Sequence, residues 1–338
     1  MVLRNARTTC CALCCGLLWL VGWALPSAAQ KALNVVVMIV PQQYFVEQLG
    51  GNRVAVTVLV PPGTDPHVYE PKSQNMVQIS KADLYIAMGT PEEQAWLPRL
   101  LAARPDLEVL HQDAGIPKLA MTGHHHDDHE THQHKEVKAG QVGAPAAASK
   151  AAPRSTATGP ENRPSHPIDE RYLDPHIWLS PQLVRIQAET ISRGLCKKDP
   201  EGTDYYRARL QSFQHQLDQL DQQLGALFSR VQRPAAFLTF HPSWGYFARD
   251  YGLNQVPIEL EGKEPSPKQL AELMRRITRE RIPVLLVQPQ FSRRLSEVVA
   301  RQTGVQLITA DSLALDWENN LLDVGRRLAA ALNQESKP

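Results

Sequence analysis

The sequence predicts an α/β protein of two Rossmann-like lobes joined by one long rigid helix, with a ligand site in the cleft between the lobes. Three observations carry this expectation. First, β-branched runs alternate with amphipathic segments on both sides of the chain's middle, the pattern of parallel strands with crossover helices. Second, Thr203 to Val231 places Leu210, Phe213, Leu217, Leu220, Leu224, Leu227 and Val231 three or four residues apart, one narrow apolar stripe. A helix of that length spans about 43 Å, more than one lobe needs, so it is expected to bridge two. A short homodimeric coiled coil is the alternative use of such a stripe. Third, three histidines far apart in the chain, His67, His176 and His241, each stand beside a proline where a predicted segment ends. Proline fixes its own φ and restrains the residue before it, so these are stiff, non-helical corners.

In order, the predicted elements of the first half are strands over Asn34–Val40, Val54–Val60, Ala82–Met88 and Leu107–Leu110. Helices over Gln42–Leu49, Ser73–Lys81 and Glu92–Ala103 separate them. His67 follows the second strand, where open α/β sheets put their ligands. A helix over Gln182–Lys197 then precedes the long one. The second half reads as strands over Ala235–Phe240, Val256–Leu260, Val284–Val287 and Val305–Thr309, with helices over Trp244–Tyr251, Pro267–Arg281, Ser292–Thr303 and Asn319–Leu332. The expected organisation is an N-terminal lobe over 30–180, connecting helices over 181–232 and a C-terminal lobe over 233–338. His241 and Asp311 follow strands of the second half and His67 follows one of the first, so they meet in the cleft.

Bulk composition narrows the function. The 338 residues carry a net charge of +1 from 36 basic and 35 acidic side chains, which offers no broad field to nucleic acid or an anionic membrane. Residues 1–29 have the form of a signal peptide: Arg4 and Arg7, an apolar run from Cys10 to Leu25, and small residues Ser27-Ala28-Ala29 before Gln30. Four of the five cysteines lie at the start of that run, away from the place of a lipid-anchor cysteine, so a free periplasmic protein is expected over a lipid-anchored one. Only Cys196 would remain after cleavage, which excludes an internal disulfide in an oxidising compartment.

About 118–171 the composition shifts to Ala, Pro, Ser, Thr and Gly, too polar and too simple to bury a core, and reads as a disordered insertion. It opens with His124, His125, His126, His129, His132 and His134 among Asp127, Asp128 and Glu130, a set expected to bind Zn²⁺ at low affinity. Three imidazoles with one carboxylate, namely His67, His176, His241 and Asp311, form a tetrahedral zinc set. Neutral imidazole favours Zn²⁺ over Mn²⁺, which leans on carboxylate and water. Glu259, Glu261 and Glu264 in the stretch IELEGKEP are rival carboxylates. The chain has no H-E-x-x-H, no G-x-x-x-x-G-K-[ST] and no G-x-S-x-G, so no motif supports a catalytic residue.

The segments PPGTDPHVYEP, DPHIWLSP and FHPSWGYFARDYGL, with SKADLYIAMG and TGVQLITADSL, resemble the cluster A-I substrate-binding proteins of ABC transporters. That family serves zinc and manganese and includes the periplasmic zinc-uptake binding proteins. The resemblance covers Leu33 to Leu332 and implies a metal held between two lobes and delivered to a membrane permease driven by a separate ATPase. It maps the family's first three ligands onto His67, His176 and His241, and histidine at the third place implies zinc. The histidine-rich insertion is typical of zinc members. The family's usual Asp-Pro after the last strand is Asp311-Ser312 here, which leaves the fourth ligand open between Asp311 and the glutamates. The expectation is therefore a monomeric zinc-binding protein, not an enzyme, serving an ABC permease. A three-histidine zinc hydrolase is the runner-up, and a zinc buffer or metallochaperone without a transporter the third reading.

Overall fold

The computed structural model describes residues 31–121, 173–260 and 262–334. The expected signal peptide, the six histidines from His124 to His134 and Glu261 lie outside the described residues. The first sheet comprises β1 (Leu33–Val37), β2 (Val54–Val58), β3 (Leu84–Ala87) and β4 (Glu108–His111) in the order β2-β1-β3-β4, every pair parallel. Helices α1 (Val40–Gly50), α2 (Ser73–Ile79) and α3 (Pro91–Ala103) are its crossovers. The second sheet repeats the plan. Strands β5 (Ala236–Thr239), β6 (Asn254–Pro257), β7 (Val284–Val287) and β8 (Gln306–Thr309) run parallel in the order β6-β5-β7-β8. Their connections are α6 (Gly245–Asp250), α7 (Pro267–Glu280) and α8 (Arg293–Thr303), and α9 (Trp317–Gln334) follows β8. Every residue of β3 and β7 is buried, as expected for inner strands covered on both faces.

Between the sheets lie α4 (Pro181–Lys198) and α5 (Thr203–Phe228). Helix α5 buries Tyr206, Phe213, Leu217, Leu220, Leu224 and Phe228, and packs on α1 and α4 at one lobe and on α9 at the other. Its apolar stripe is used inside the chain, which removes the face that a coiled-coil dimer would need. The helix ends at Phe228, short of the expected Val231, because the Val231 N–H turns back to the Phe228 carbonyl at 3.2 Å ahead of Pro234. Gly325 of α9 meets this helix so closely that an added Cβ would lie 2.5 Å from Leu224 Cδ2.

One apolar cluster runs unbroken from Val35 and Phe45, through Phe213 and Leu220 of α5, to Phe237 and Trp317. Phe45 meets Trp317 edge-on with ring centroids 5.1 Å apart, and the Tyr44 hydroxyl donates to Glu318 Oε2 at 3.1 Å. Full exposure of one such side chain costs about 1.5–3 kcal/mol. Any motion of the lobes that keeps these pairs together is therefore small. Strand β6 lies earlier than the expected Val256–Leu260, but the ladder continues past it: Ile258 N–H donates to Thr239 O at 2.8 Å and Glu259 N–H to Phe240 O at 3.1 Å. That extension carries Glu259 to the C-terminal end of β5.

Candidate metal centre

Each histidine is placed by its own local device. At the first corner Pro66 starts a short 3-10 turn, Pro66–Val68, and Asp65 Oδ1 accepts the His67 N–H at 3.0 Å. This is the side-chain-to-backbone turn that Asp favours ahead of proline. At the second corner Asp174 Oδ1 accepts the His176 N–H at 2.9 Å, just before the turn Ile177–Leu179. Gly245 makes room there, since a Cβ on it would lie 2.7 Å from Asp174 Oδ2. His241 stands just past β5, and its N–H donates to Gln288 Oε1 at 3.0 Å across the gap to the end of β7. That gap is the switch point of the second sheet, where strand order reverses and ligands bind in open α/β folds.

The three imidazoles converge. His241 Nε2 lies 3.1 Å from His67 Nε2 and 3.1 Å from His176 Nε2, and one nitrogen from each ring falls within 4.8 Å of the others. Two nitrogens on a tetrahedral zinc, each at its ordinary bond length, stand about 3.3 Å apart. The outer ring nitrogens meet carboxylates: His176 Nδ1 lies 2.7 Å from Asp174 Oδ1, His241 Nδ1 2.6 Å from Glu259 Oε1 and His67 Nδ1 3.3 Å from Glu92 Oε1. An ionised carboxylate only accepts, so each pairing fixes the proton on Nδ1 and leaves Nε2 with a bare lone pair. Bare lone pairs 3.1 Å apart, as His241 Nε2 stands from each of the other two, repel unless a cation lies among them. The arrangement could hold a cation.

Electrostatics differ around the ring of histidines. Burial, and then the neighbouring His241 and His67 charges, push the His176 pKa well below its usual 6.5, so this imidazole stays neutral and ready to coordinate. At His67 burial also opposes protonation, but the hydrogen bond and charge of Glu92, with Asp65 and Glu259, outweigh it and raise the pKa. Burial pushes Asp174 up to about 7, against the pull of the His176 N–H and of positive charge on His241 and His67. A divalent ion beside it adds to that pull and favours the carboxylate.

Asp311, expected as a fourth ligand, stands outside the group of side chains that could hold one ion among the described residues. Its Oδ1 accepts the Gln290 side-chain N–H at 2.6 Å and the Leu313 N–H at 2.9 Å, so it braces the loop after β8. Glu259 belongs to the site, but as the partner of His241 Nδ1 and not on the converging side; Glu264 is exposed away from it. Glu92 was not among the sequence candidates. It sits in the first turn of α3, where the helix dipole favours an acid, and that ordinary role hides its contact with His67. Asp174 was visible only as part of its corner, and its double use, on N–H and ring together, depends on tertiary burial. The cavity bounded by these groups holds about 30 Å³, with Met38, Met88, Trp178, Gln290 and Phe291 in its walls.

Residues 35–334 match the profile of the family ZnuA, described as zinc-uptake complex component A, periplasmic. The crystal structure of a ZnuA is similar to this chain with a TM-score of 0.73 and 36% identity, covering 89% of this chain and 100% of that one. A ZnuA deletion mutant with zinc bound is similar at a TM-score of 0.72 and 36% identity, covering 89% and 98%. Zinc-binding protein AdcA of Streptococcus pyogenes serotype M3 is 26% identical over 290 residues, 84% of this chain. The chain spans about half, 52%, of the length of that curated relative. With two parallel-sheet lobes, a bridging helix and three convergent histidines in place, and with a family match over most of its length, the chain belongs to the ZnuA family of zinc-uptake components.

Proposed function

We propose that the chain captures Zn²⁺ outside the cytoplasm and delivers it to the permease of an ABC importer, with His67, His176 and His241 as the ligands. One observation carries the reading: His241 Nε2 lies 3.1 Å from the Nε2 atoms of both His67 and His176, and a carboxylate behind each of the three rings fixes its Nε2 as an acceptor. The all-imidazole set favours zinc over manganese, in accord with the zinc held by the related ZnuA deletion mutant. Family membership supports the permease as partner and the extracytoplasmic location. Among the described residues no helix is long and apolar enough to cross a membrane. Burial of the α5 stripe within the chain supports action as a monomer. The expected domain boundaries, 30–180, 181–232 and 233–338, enter this proposal with α4 and α5 as the shared spine.

A hydrolase reading loses support from the size of the cavity. About 30 Å³ admits an ion with a water or two, whereas sites for organic substrates run to about 300–1,000 Å³. The six histidines of the insertion are proposed as weak, separate zinc donors. Competition titration of Zn²⁺ against Mn²⁺ on the full chain tests the main site. One tight zinc site that manganese does not contest, lost in His176→Ala, is expected; a site that prefers manganese or survives that substitution ends the proposal. Restoration of zinc-limited growth by the wild-type chain, but not by His176→Ala, in a strain carrying the permease and lacking its binding protein separates delivery from storage.

A further inference from the structure

Three histidines leave one corner of a tetrahedral zinc open, and Asp311 does not reach it. In open zinc sites that corner holds water, and a zinc-bound water is a strong hydrogen-bond donor that needs an acceptor. Among the described residues that line the cavity, Gln290 Oε1 is the one buried side-chain polar atom without a partner. Its orientation is set chemically. A carboxylate can only accept, so the Gln290 –NH₂ must face Asp311 Oδ1, which it meets at 2.6 Å, and the amide oxygen must face away. Asp311 is itself pinned, its Oδ1 by the Leu313 N–H and its carbonyl by Asn320 Nδ2 at 2.7 Å. A buried, unpaired amide oxygen carries the cost of its lost hydration with nothing in return. Such a group in the wall of a cation site needs a ligand to satisfy it.

We infer that Gln290 Oε1 accepts a hydrogen bond from the water that completes the zinc's coordination, and that Asp311 is a positioning residue acting through Gln290. This rests on the three-histidine zinc site proposed above. It gives the fourth corner a neutral oxygen environment in place of a carboxylate ligand, which keeps the set soft and adds no anion that would favour manganese.

The test is a double-mutant cycle on the full chain, read by zinc competition titration and by the visible spectrum of the Co²⁺-loaded protein. Gln290→Leu is expected to weaken zinc about 10-fold, the lower end for loss of a group that supports a metal ligand, and to shift the Co²⁺ d–d bands. Asp311→Asn is expected to stay within about 2-fold of wild type, since its amide oxygen still accepts from Gln290 and Leu313. Asp311→Leu should match Gln290→Leu and add no further loss to it, the signature of two residues acting in series. Unfolding of the metal-free proteins identifies any loss of fold, which alone leaves the cobalt bands of the loaded fraction unchanged. A large loss in Asp311→Asn, or additive losses in the double variant, overturns the inference in favour of direct Asp311 ligation. An unchanged affinity and spectrum in Gln290→Leu overturns it outright. Absence of a tight site in the wild-type chain, in contrast, is a failure of the zinc reading itself.

Discussion

The two Asp-Pro-His corners share three residues in the same order, yet their aspartates do different work. Asp65 takes only the backbone N–H of His67, whose ring turns instead to Glu92 at 3.3 Å. Asp174 takes both the backbone N–H and the ring of His176, at 2.9 and 2.7 Å. Exposure separates them further: the His67 and Glu92 side chains are 27% and 23% exposed, while His176 and Asp174 are each 3% exposed. His241 and Glu259 side with the second corner, at 9% and 7%. In the proposed zinc site, His176 and His241 would therefore be preorganised, buried ligands and His67 a looser one at the mouth. A receptor that must also release its cargo benefits from such an unequal set, and under the proposed ligand set His67 is expected to attach last and leave first.

The largest expected effects test that inequality directly. His176→Ala and His241→Ala should each cost at least about 1,000-fold in zinc affinity, about 4 kcal/mol. His67→Ala should cost only about 100-fold, with the loss concentrated in faster release. Competition titration and stopped-flow transfer to a chelator measure both. Equal losses at all three histidines, with equal release rates, would dissolve the distinction between corners. Next in size come the carboxylates. Glu259→Gln and Asp174→Asn are expected to weaken zinc about 10-fold each, since they keep shape but remove the charge that raises imidazole basicity. Glu92→Gln, acting on the partly buried ring across 3.3 Å, is expected to cost about 3-fold, because solvent screens that pair more than the two buried ones.

The pH dependence sharpens the same contrast. A proton competes with zinc for Nε2, so a ligand with a raised pKa loses affinity first as pH falls. His67 is raised above 6.5 and His176 lies well below it. As pH falls, the zinc affinity should fall first through the proton that His67 takes up, and His67→Ala should remove that first step. A slope of three, equal titration of all imidazoles, contradicts the unequal set. The sign for the metal-free fold is opposite: protonation of His67 stabilises it below pH 6.5, and this contribution is lost as pH rises through the folded pKa.

How much of this was legible in advance follows from range. The alternation of strands and helices, the stripe of α5 and the three proline-flanked histidines are local patterns, and the structure assembles them as expected. Glu92 was hidden because an acid in a first helical turn has an ordinary explanation, and its contact with His67 joins residues set by two different crossovers. Asp311 shows the converse. An aspartate after the last strand of a lobe has the right position for a ligand, but its two short bonds to Gln290 and Leu313 arise only when the loops after β7 and β8 meet. Glu259 was read as a rival ligand; which side of His241 it occupies is decided by the two ladder bonds beyond β6, which no local pattern announces.

The smallest expected effect returns to the corners themselves. Asp65→Ala removes one bond to a partly exposed turn, whose N–H can turn to water, and should cost about 1 kcal/mol of stability or less and about 2-fold in zinc affinity. Asp174→Ala removes two bonds in a fully buried place, leaves the His176 N–H without an acceptor and frees the ring to turn. Its expected cost is about 2–3 kcal/mol in stability, with a loss of affinity at the upper end of the 10–100-fold range, about 100-fold. Denaturant unfolding of the metal-free variants, paired with zinc titration, measures the two costs separately. Because the two corners are spelled alike, this pair of substitutions holds local sequence constant and varies only burial; similar outcomes would mean that the corner motif itself, and not the depth at which the fold sets it, determines how firmly a histidine is held.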